Sequence, residues 1–410
     1  MRARLAIRAG RGYVFIDKAP CSTGRLRRGA EWEGRGVQRD GPVFIGSEIY
    51  RGSSYGHWHP LRVPRVSTVM DLTRALGWLG PANYLASPRA KPGALSVWHA
   101  PDYVAALERV EATQLGTEED RERFGLGTHS NPIYPEVYRR PATAAGGSLL
   151  AGELLVDGGV VYHPAGGTHH GLPGRANGFC YLNDPVLGIL SLRRMGVRRI
   201  VYVDIDAHHP DGVELAFDGD PEILMISVHE ERRWPFTGHL GDRAGGAAVN
   251  LPVPKGLNDS EMALVREALI LPLVARFAPE AIVLQCGADA VEEDPLSRLT
   301  LSNNAHWEIV AALRPLAPRY LVLGGGGYNP WSVGRLWTGV WAVLNGIEIP
   351  DRLEPEGEAV LRALRWEGNS RGKAPPDHWF TTLRDAPRPG PVRDELKERL
   401  AVLLRREGLG

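Results

Sequence analysis

From residue 43 onward the chain alternates short apolar runs with longer stretches whose apolar positions recur every three or four residues. The runs at 160–162, 200–203, 223–226, 281–284 and 320–323 carry Val, Ile, Leu and Tyr on both phases of an extended chain. That pattern predicts strands buried on both faces. The spacing predicts helices over 144–155, 185–195, 260–277 and 304–313, and one around Trp331, Trp337 and Trp341. Strands and helices in alternation imply an α/β fold, with a parallel sheet covered by helices on both faces. Ligand sites in such sheets lie at the carboxyl ends of the strands.

The residues with chemistry fall at those ends. His163-Pro164-Ala165-Gly166-Gly167-Thr168-His169-His170 follows one predicted strand, and Asp204-Ile205-Asp206-Ala207-His208-His209 closes the next. Cys286-Gly287-Ala288-Asp289 and Gly324-Gly325-Gly326-Gly327-Tyr328 follow two later ones. Composition narrows the function classes. The 48 basic and 48 acidic residues balance, which argues against a nucleic-acid or membrane-surface partner, since both favour a basic excess. No apolar run approaches the ~20 residues that cross a bilayer. Cys21, Cys180 and Cys286 are too few and too scattered for a disulfide framework or a cysteine zinc site, and a reducing cytoplasm fits them. Nine arginines lie within residues 1–40. That segment reads as an Arg-rich extension, open to disorder, ahead of a domain over 41–350. Residues 351–410, with Pro375-Pro376, Pro387-Arg388-Pro389 and a charged helix near 393–406, read as a helical appendage packed on that domain.

Asp204, Asp206 and His208 are spaced by two, and in extended backbone such side chains share a side. One strand end then aims two carboxylates and an imidazole at one point, and Asp289 joins from another. An Asp-x-Asp alone is better explained by a helix cap or a salt bridge; the company of His208, Asp289 and the His169-His170 pair reverses that and favours a metal. Three protein ligands with an open position describe a catalytic zinc site; Fe2+, Co2+ or Mn2+ suit the same donors. Amide hydrolysis needs a base for water and an acid for the leaving amine, which His169 and His170 can supply if a carboxylate fixes each ring. Asp204 and Asp211 are the candidates. The four glycines before Tyr328 lack the Lys-Ser/Thr of a phosphate loop and the spacing of a dinucleotide fingerprint. They read instead as a tight turn that swings Tyr328 inward to donate to an oxyanion.

Together these blocks resemble the histone deacetylase family, and within it the bacterial acetoin-utilisation-type members. The resemblance runs from about residue 54 to 350. It is carried by Gly56-His57-Trp58-His59-Pro60, Ala165 to His170, Gly178-Phe179-Cys180-Tyr181-Leu182-Asn183-Asp184, residues 204–212, Leu284 to Asp289, residues 324–328 and Leu336-Trp337-Thr338. It implies the arginase/deacetylase fold, a single domain with about eight parallel strands between helices. It implies zinc on Asp206, His208 and Asp289. His170, backed by Asp211, would be general base and then acid; His169, backed by Asp204, would assist electrostatically; Tyr328 would polarise the acetyl carbonyl. A structural potassium would fall on Asp204, Asp206, His208, Ser227 and Val228, partly through carbonyls. Gly178, Phe179 and Trp234 would wall an acyl-lysine tunnel, Leu296 would hold the gatekeeper place, and Arg65 would line an exit for acetate.

Three positions depart from the family's pattern. Pro210 replaces a glycine and removes an amide donor, which predicts a differently shaped loop around Asp211. Trp234 replaces a phenylalanine. Ser130, in Thr128-His129-Ser130-Asn131-Pro132, stands where relatives carry an aspartate that grips the substrate backbone. The expected substrate is an acetylated lysine in a peptide or protein, and the alternative is a small acetylated amine such as an acetylpolyamine. A binuclear ureohydrolase would need a second aspartate at Pro210. A non-catalytic acyl-lysine or metal-binding module would be expected to lack His170 or Tyr328. The sequence leaves the oligomeric state open.

Overall fold

The computed structural model describes residues 4–9, 12–17, 41–366 and 374–410. In the N-terminal extension, β1 (Arg4–Ala9) pairs antiparallel with β2 (Gly12–Asp17). The rest of residues 1–40, with Cys21, lies outside the described residues.

Residues 39–410 form one compact unit around an eight-stranded parallel sheet. The strands are β3 (Val43–Gly46), β4 (Tyr84–Ala86), β5 (Gly159–His163), β6 (Ile200–Asp204), β7 (Ile223–Glu230), β8 (Ala248–Val253), β9 (Ala281–Gln285) and β10 (Arg319–Leu323). Their spatial order is β4-β3-β5-β10-β9-β6-β7-β8. The step from β5 to β6 skips two places, which β9 and β10 fill later. Four chemistry-bearing strand ends, of β5, β10, β9 and β6, are thereby neighbours at the centre of the sheet.

Side chains alternate across a strand, and both sides are buried here. Val160, Tyr162, Val201, Val203, Ile282, Leu284, Tyr320 and Val322 join one core with Trp337 and Trp341. Val161, Ile200, Tyr202, Val283, Leu321 and Leu323 join another with Ala151, Val186, Ile189 and Leu192. Helix therefore covers each face: Pro330–Leu344 belongs to the first, Arg139–Leu154 and Asp184–Arg194 to the second.

The segment expected as one helix over 260–277 is helical without a break from Asp259 to Phe277, with a π stretch, Arg266–Ile270, between the α-helical turns Asp259–Val265 and Leu271–Phe277. Pro272 lacks the amide that would bond back four residues and its ring crowds that carbonyl, so the turn ahead of it widens. The C-terminal segment packs against the sheet edge through its last helix. Leu396, Leu400 and Leu403 of the Asp394–Glu407 helix are buried, and Arg399 donates to the Pro252 carbonyl of edge strand β8 at 2.5 Å. Arg335 and Asp385, both buried, pair at 2.7 Å. No helix among the described residues is long and apolar enough to cross a membrane.

Candidate active site

Strand β6 ends at Asp204, and the chain bends through Asp206 and His208. One donor atom each from Asp206, His208 and Asp289 lies within 4.8 Å of the others, with all three buried. His208 Nδ1 is 3.1 Å from Asp206 Oδ1 and 2.9 Å from Asp289 Oδ2. Burial and the facing Asp206 charge push Asp289 up to about 6. Burial opposes charging His208, yet Asp206 and Asp289 outweigh it and raise the imidazole to about 10. Two carboxylates this close in a buried place call for positive charge between them. An Asp/His/Asp donor set fits a divalent metal, with zinc among the choices.

The scaffold holds these carboxylates from behind. Asp206 Oδ2 accepts from Gln285 Nε2 at 2.9 Å and from the Gly326 amide at 2.7 Å, and Asp289 Oδ1 accepts from the Ala207 amide at 3.0 Å. A side chain at Gly326 would run into the Asp289 carboxylate, so the close approach of the glycine turn requires glycine there.

Asp204 departs from the spacing argument. It does not join the cluster with Asp206 and His208, because the strand ends at it and the next residues bend. Its Oδ2 sits 2.8 Å from His169 Nδ1 and accepts from Tyr202 Oη at 2.5 Å. His170 Nδ1 lies 2.7 Å from Asp211 Oδ1, and Asn177 Nδ2 donates to the other Asp211 oxygen at 3.0 Å. Pro210 therefore does not keep Asp211 from its histidine; it stands just ahead of the short Asp211–Ala216 helix, where a missing amide is tolerated. His163 and His209 belong to the frame. His163 reaches the carbonyls of Ile45 and Ala144, and His209 reaches Thr237 and Glu214.

A cavity of about 450 Å³ opens above the cluster, lined by His170, Gly178, Phe179, His208, Trp234 and Tyr328, with Ser130 and Leu296 at its walls. Phe179 has a left-handed backbone, φ 68°, uncommon for a bulky residue. Asn131 Oδ1 accepts from its amide at 3.0 Å and Tyr55 Oη donates to its carbonyl at 3.3 Å, which fixes the ring as a wall. The Trp234 ring stands edge-on to His170 at 4.6 Å. Tyr328 is buried; burial first, then Asp289 and Asp206, raise its pKa and keep the phenol protonated. Arg65 is half-buried below the glycine turn, donating to the Gly325 carbonyl at 2.7 Å. Ser227 and Val228 lie on β7, with Ser227 level with Asp204.

Several supports were not foreseen from sequence. Asp184 accepts from the Gly167 and Thr168 amides and the Ser148 hydroxyl, and Asn183 Nδ2 donates to the carbonyls of His169 and Gly171. His99 Nε2 accepts the Asn183 amide at 3.0 Å. Asp294 accepts the amides of Tyr328 at 2.7 Å and Leu296 at 2.8 Å. Asn183 and Asp184 belong to the segment 178–184 that carries the resemblance; His99 and Asp294 have no local signal.

Comparison with known proteins gives the same picture. A model of the histone deacetylase domain matches residues 59–344. The acetoin utilization protein AcuC of Bacillus subtilis is 31% identical over 328 residues, 77% of this chain and 84% of that protein. Histone deacetylase 19 of Arabidopsis thaliana is 35% identical over 332 residues, 79% of this chain and 65% of that protein. A solved HDAC homologue from Aquifex aeolicus superimposes with a TM-score of 0.84 at 34% identity, covering 88% of this chain and 99% of that one.

Proposed function

The chain belongs to the histone deacetylase family and is a deacetylase, and we propose that it removes acetyl groups from acetylated lysine in peptides or proteins with the help of one zinc ion. The observation that carries this reading is the buried Asp206/His208/Asp289 cluster beneath a cavity that His170 and Tyr328 also line. A metal held there would supply Lewis acidity toward water and the acetyl carbonyl.

Each side chain then has a task. His170, held by Asp211 at Nδ1, takes the proton of the attacking water and returns it to the leaving amine. His169, fixed by Asp204, carries positive charge beside the reacting centre. Tyr328 donates its phenol proton as a hydrogen bond to the oxygen where negative charge develops. Gly178, Phe179 and Trp234 enclose the apolar stem of the acyl-lysine. Arg65 lines the way out for acetate. A structural potassium is assigned to Asp204, Asp206, His208, Ser227 and Val228 at the ends of β6 and β7, and the protein is assigned to the cytoplasm.

Two features favour lysine over an acetylpolyamine. Leu296 stands at the wall where a distal ammonium would need an acid, and no Asp or Glu lines the cavity among the described residues. One Asp/His/Asp group among the described residues also supports a single metal rather than the binuclear centre of a ureohydrolase. A turnover screen measuring acetate from acetyl-lysine peptides, acetylpolyamines and longer acyl-lysines, with metal content measured in parallel, tests the proposal. Cleavage of acetyl-lysine peptides is expected. Cleavage of acetylpolyamines alone, or urea release from guanidino substrates, would overturn it.

A further inference from the structure

Among the described residues, the mouth of the site is as bare of acid as its floor is rich in it. A second cavity of about 640 Å³, lined by His57, Trp58, Arg62 and Trp366, shares Leu296 and Tyr328 with the first. Among the described residues, neither has an aspartate or glutamate in its lining. Ser130 sits at the rim where a carboxylate would have offset positive charge.

The cations at this rim are not equally engaged. Arg233 is consumed: it pairs with Glu230 at 2.5 Å and donates to the Leu296 carbonyl at 2.6 Å. Arg62 donates to the His57 carbonyl. Arg232 differs, with its side chain 89% exposed and its one ion-pair partner among the described residues, Glu231, at 3.9 Å. Glu231 is itself held closer by Arg399, at 3.0 Å. Arg232 thus lines the entrance with its charge largely uncompensated, next to exposed Phe236 and half-exposed Trp234.

We infer that Arg232 selects for substrates that carry a carboxylate beside the acetylated lysine, and that it is a specificity-determining residue of the rim. The inference rests on the acetyl-lysine reading above and narrows it. The carboxylate has two available sources, an Asp or Glu flanking the lysine in a peptide, or the α-carboxylate of a lysine at a chain end. Basic flanks meet an unopposed like charge.

The test uses acetyl-lysine peptides of equal length flanked by Asp, Ser or Arg, together with Nε-acetyl-lysine as its free acid and its amide. Each is assayed for kcat/KM with the wild type, Arg232→Gln and Arg232→Lys, at low and high salt. A solvated charge pair supports a preference of about fivefold for Asp over Arg flanks at low salt, shrinking as salt screens it. Arg232→Gln should remove that preference and Arg232→Lys should retain most of it. Preference for the free acid over its amide would assign the α-carboxylate; preference confined to the flanked peptides would assign side chains. Cleavage of the Ser-flanked peptide, with both the Asp-to-Arg ratio and the free-acid-to-amide ratio unmoved by Arg232→Gln, overturns this inference alone. Failure to cleave any of them overturns the lysine reading and the inference with it.

Discussion

His169 Nε2 lies 2.9 Å from His170 Nε2, and the two neighbouring rings hold protons with opposite tenacity. Burial opposes charge on His169, but Asp204 and Asp206 overcome it and raise the ring to about 9. Burial lowers His170 to about 4, and the charge on His169 adds to that. Environments that push adjacent titratable groups apart are how one site separates a charge-bearing role from a proton-accepting one.

Removing the proton acceptor should stop the chemistry and leave the metal. His170→Ala is expected to lower kcat by about 10²–10⁴, the usual range for a lost general base, with metal content unchanged. His169→Ala should cost less. Steady-state kinetics with elemental analysis checks both, and full activity in His170→Ala would refute the assignment.

Tyr328→Phe should act on the transition state. An oxyanion donor contributes little to ground-state binding, so kcat should fall about 10²–10³ while KM stays within a few-fold. A large change in KM with kcat preserved would mean that Tyr328 packs against substrate and does not polarise it.

The rim offers the reverse experiment. Ser130→Asp should restore a charge-assisted anchor for the substrate backbone and lower KM for neutral and basic-flanked peptides, with kcat little altered. Equal KM values in the two proteins would mean that the backbone is gripped elsewhere.

Acid should loosen the frame through His99. Its Nε2 accepts the Asn183 amide and its Nδ1 donates to the Leu172 carbonyl at 3.1 Å; the carbonyl is served by either form of the ring, but the amide requires the neutral one. Burial accordingly lowers it from 6.5 to about 4. The unfolded chain therefore binds this proton first. Stability should fall as pH drops from about 6.5 to about 4, at roughly 1.4 kcal/mol per pH unit for one such group, and level off below. His99→Gln keeps an acceptor for the amide but cannot charge. Urea unfolding across that window should show a shallower slope in the variant, and identical slopes would contradict this account.

What the sequence made legible follows from physics that acts locally. Strands β5, β6, β7, β9 and β10 could be read because both faces are buried, so apolar residues fill both phases. The flanking strands were hidden. β4 has three residues, none buried, and β8 carries Asn250 and Pro252 inside its run. At the site, Asp206, His208, Asp289, His170 and Tyr328 were legible because each closes or follows a predicted strand. Asp204 was misdirected by the spacing rule, since extended geometry stops at that residue. His99 and Asp294 were out of reach: His99 bonds Asn183 across 84 positions, and Asp294 acts on Tyr328 across 34. Only the assembled sheet brings those groups together.

The most direct measurement is a titration of metal into chelator-stripped protein, following acetate release from an acetyl-lysine peptide. Activity should climb with added zinc and break at about one equivalent per chain, as expected of a three-ligand site with an open position, and Asp206→Ala and Asp289→Ala should stay flat. Full activity before any metal is added, a break at two equivalents, or an unaltered titration in either variant would contradict it.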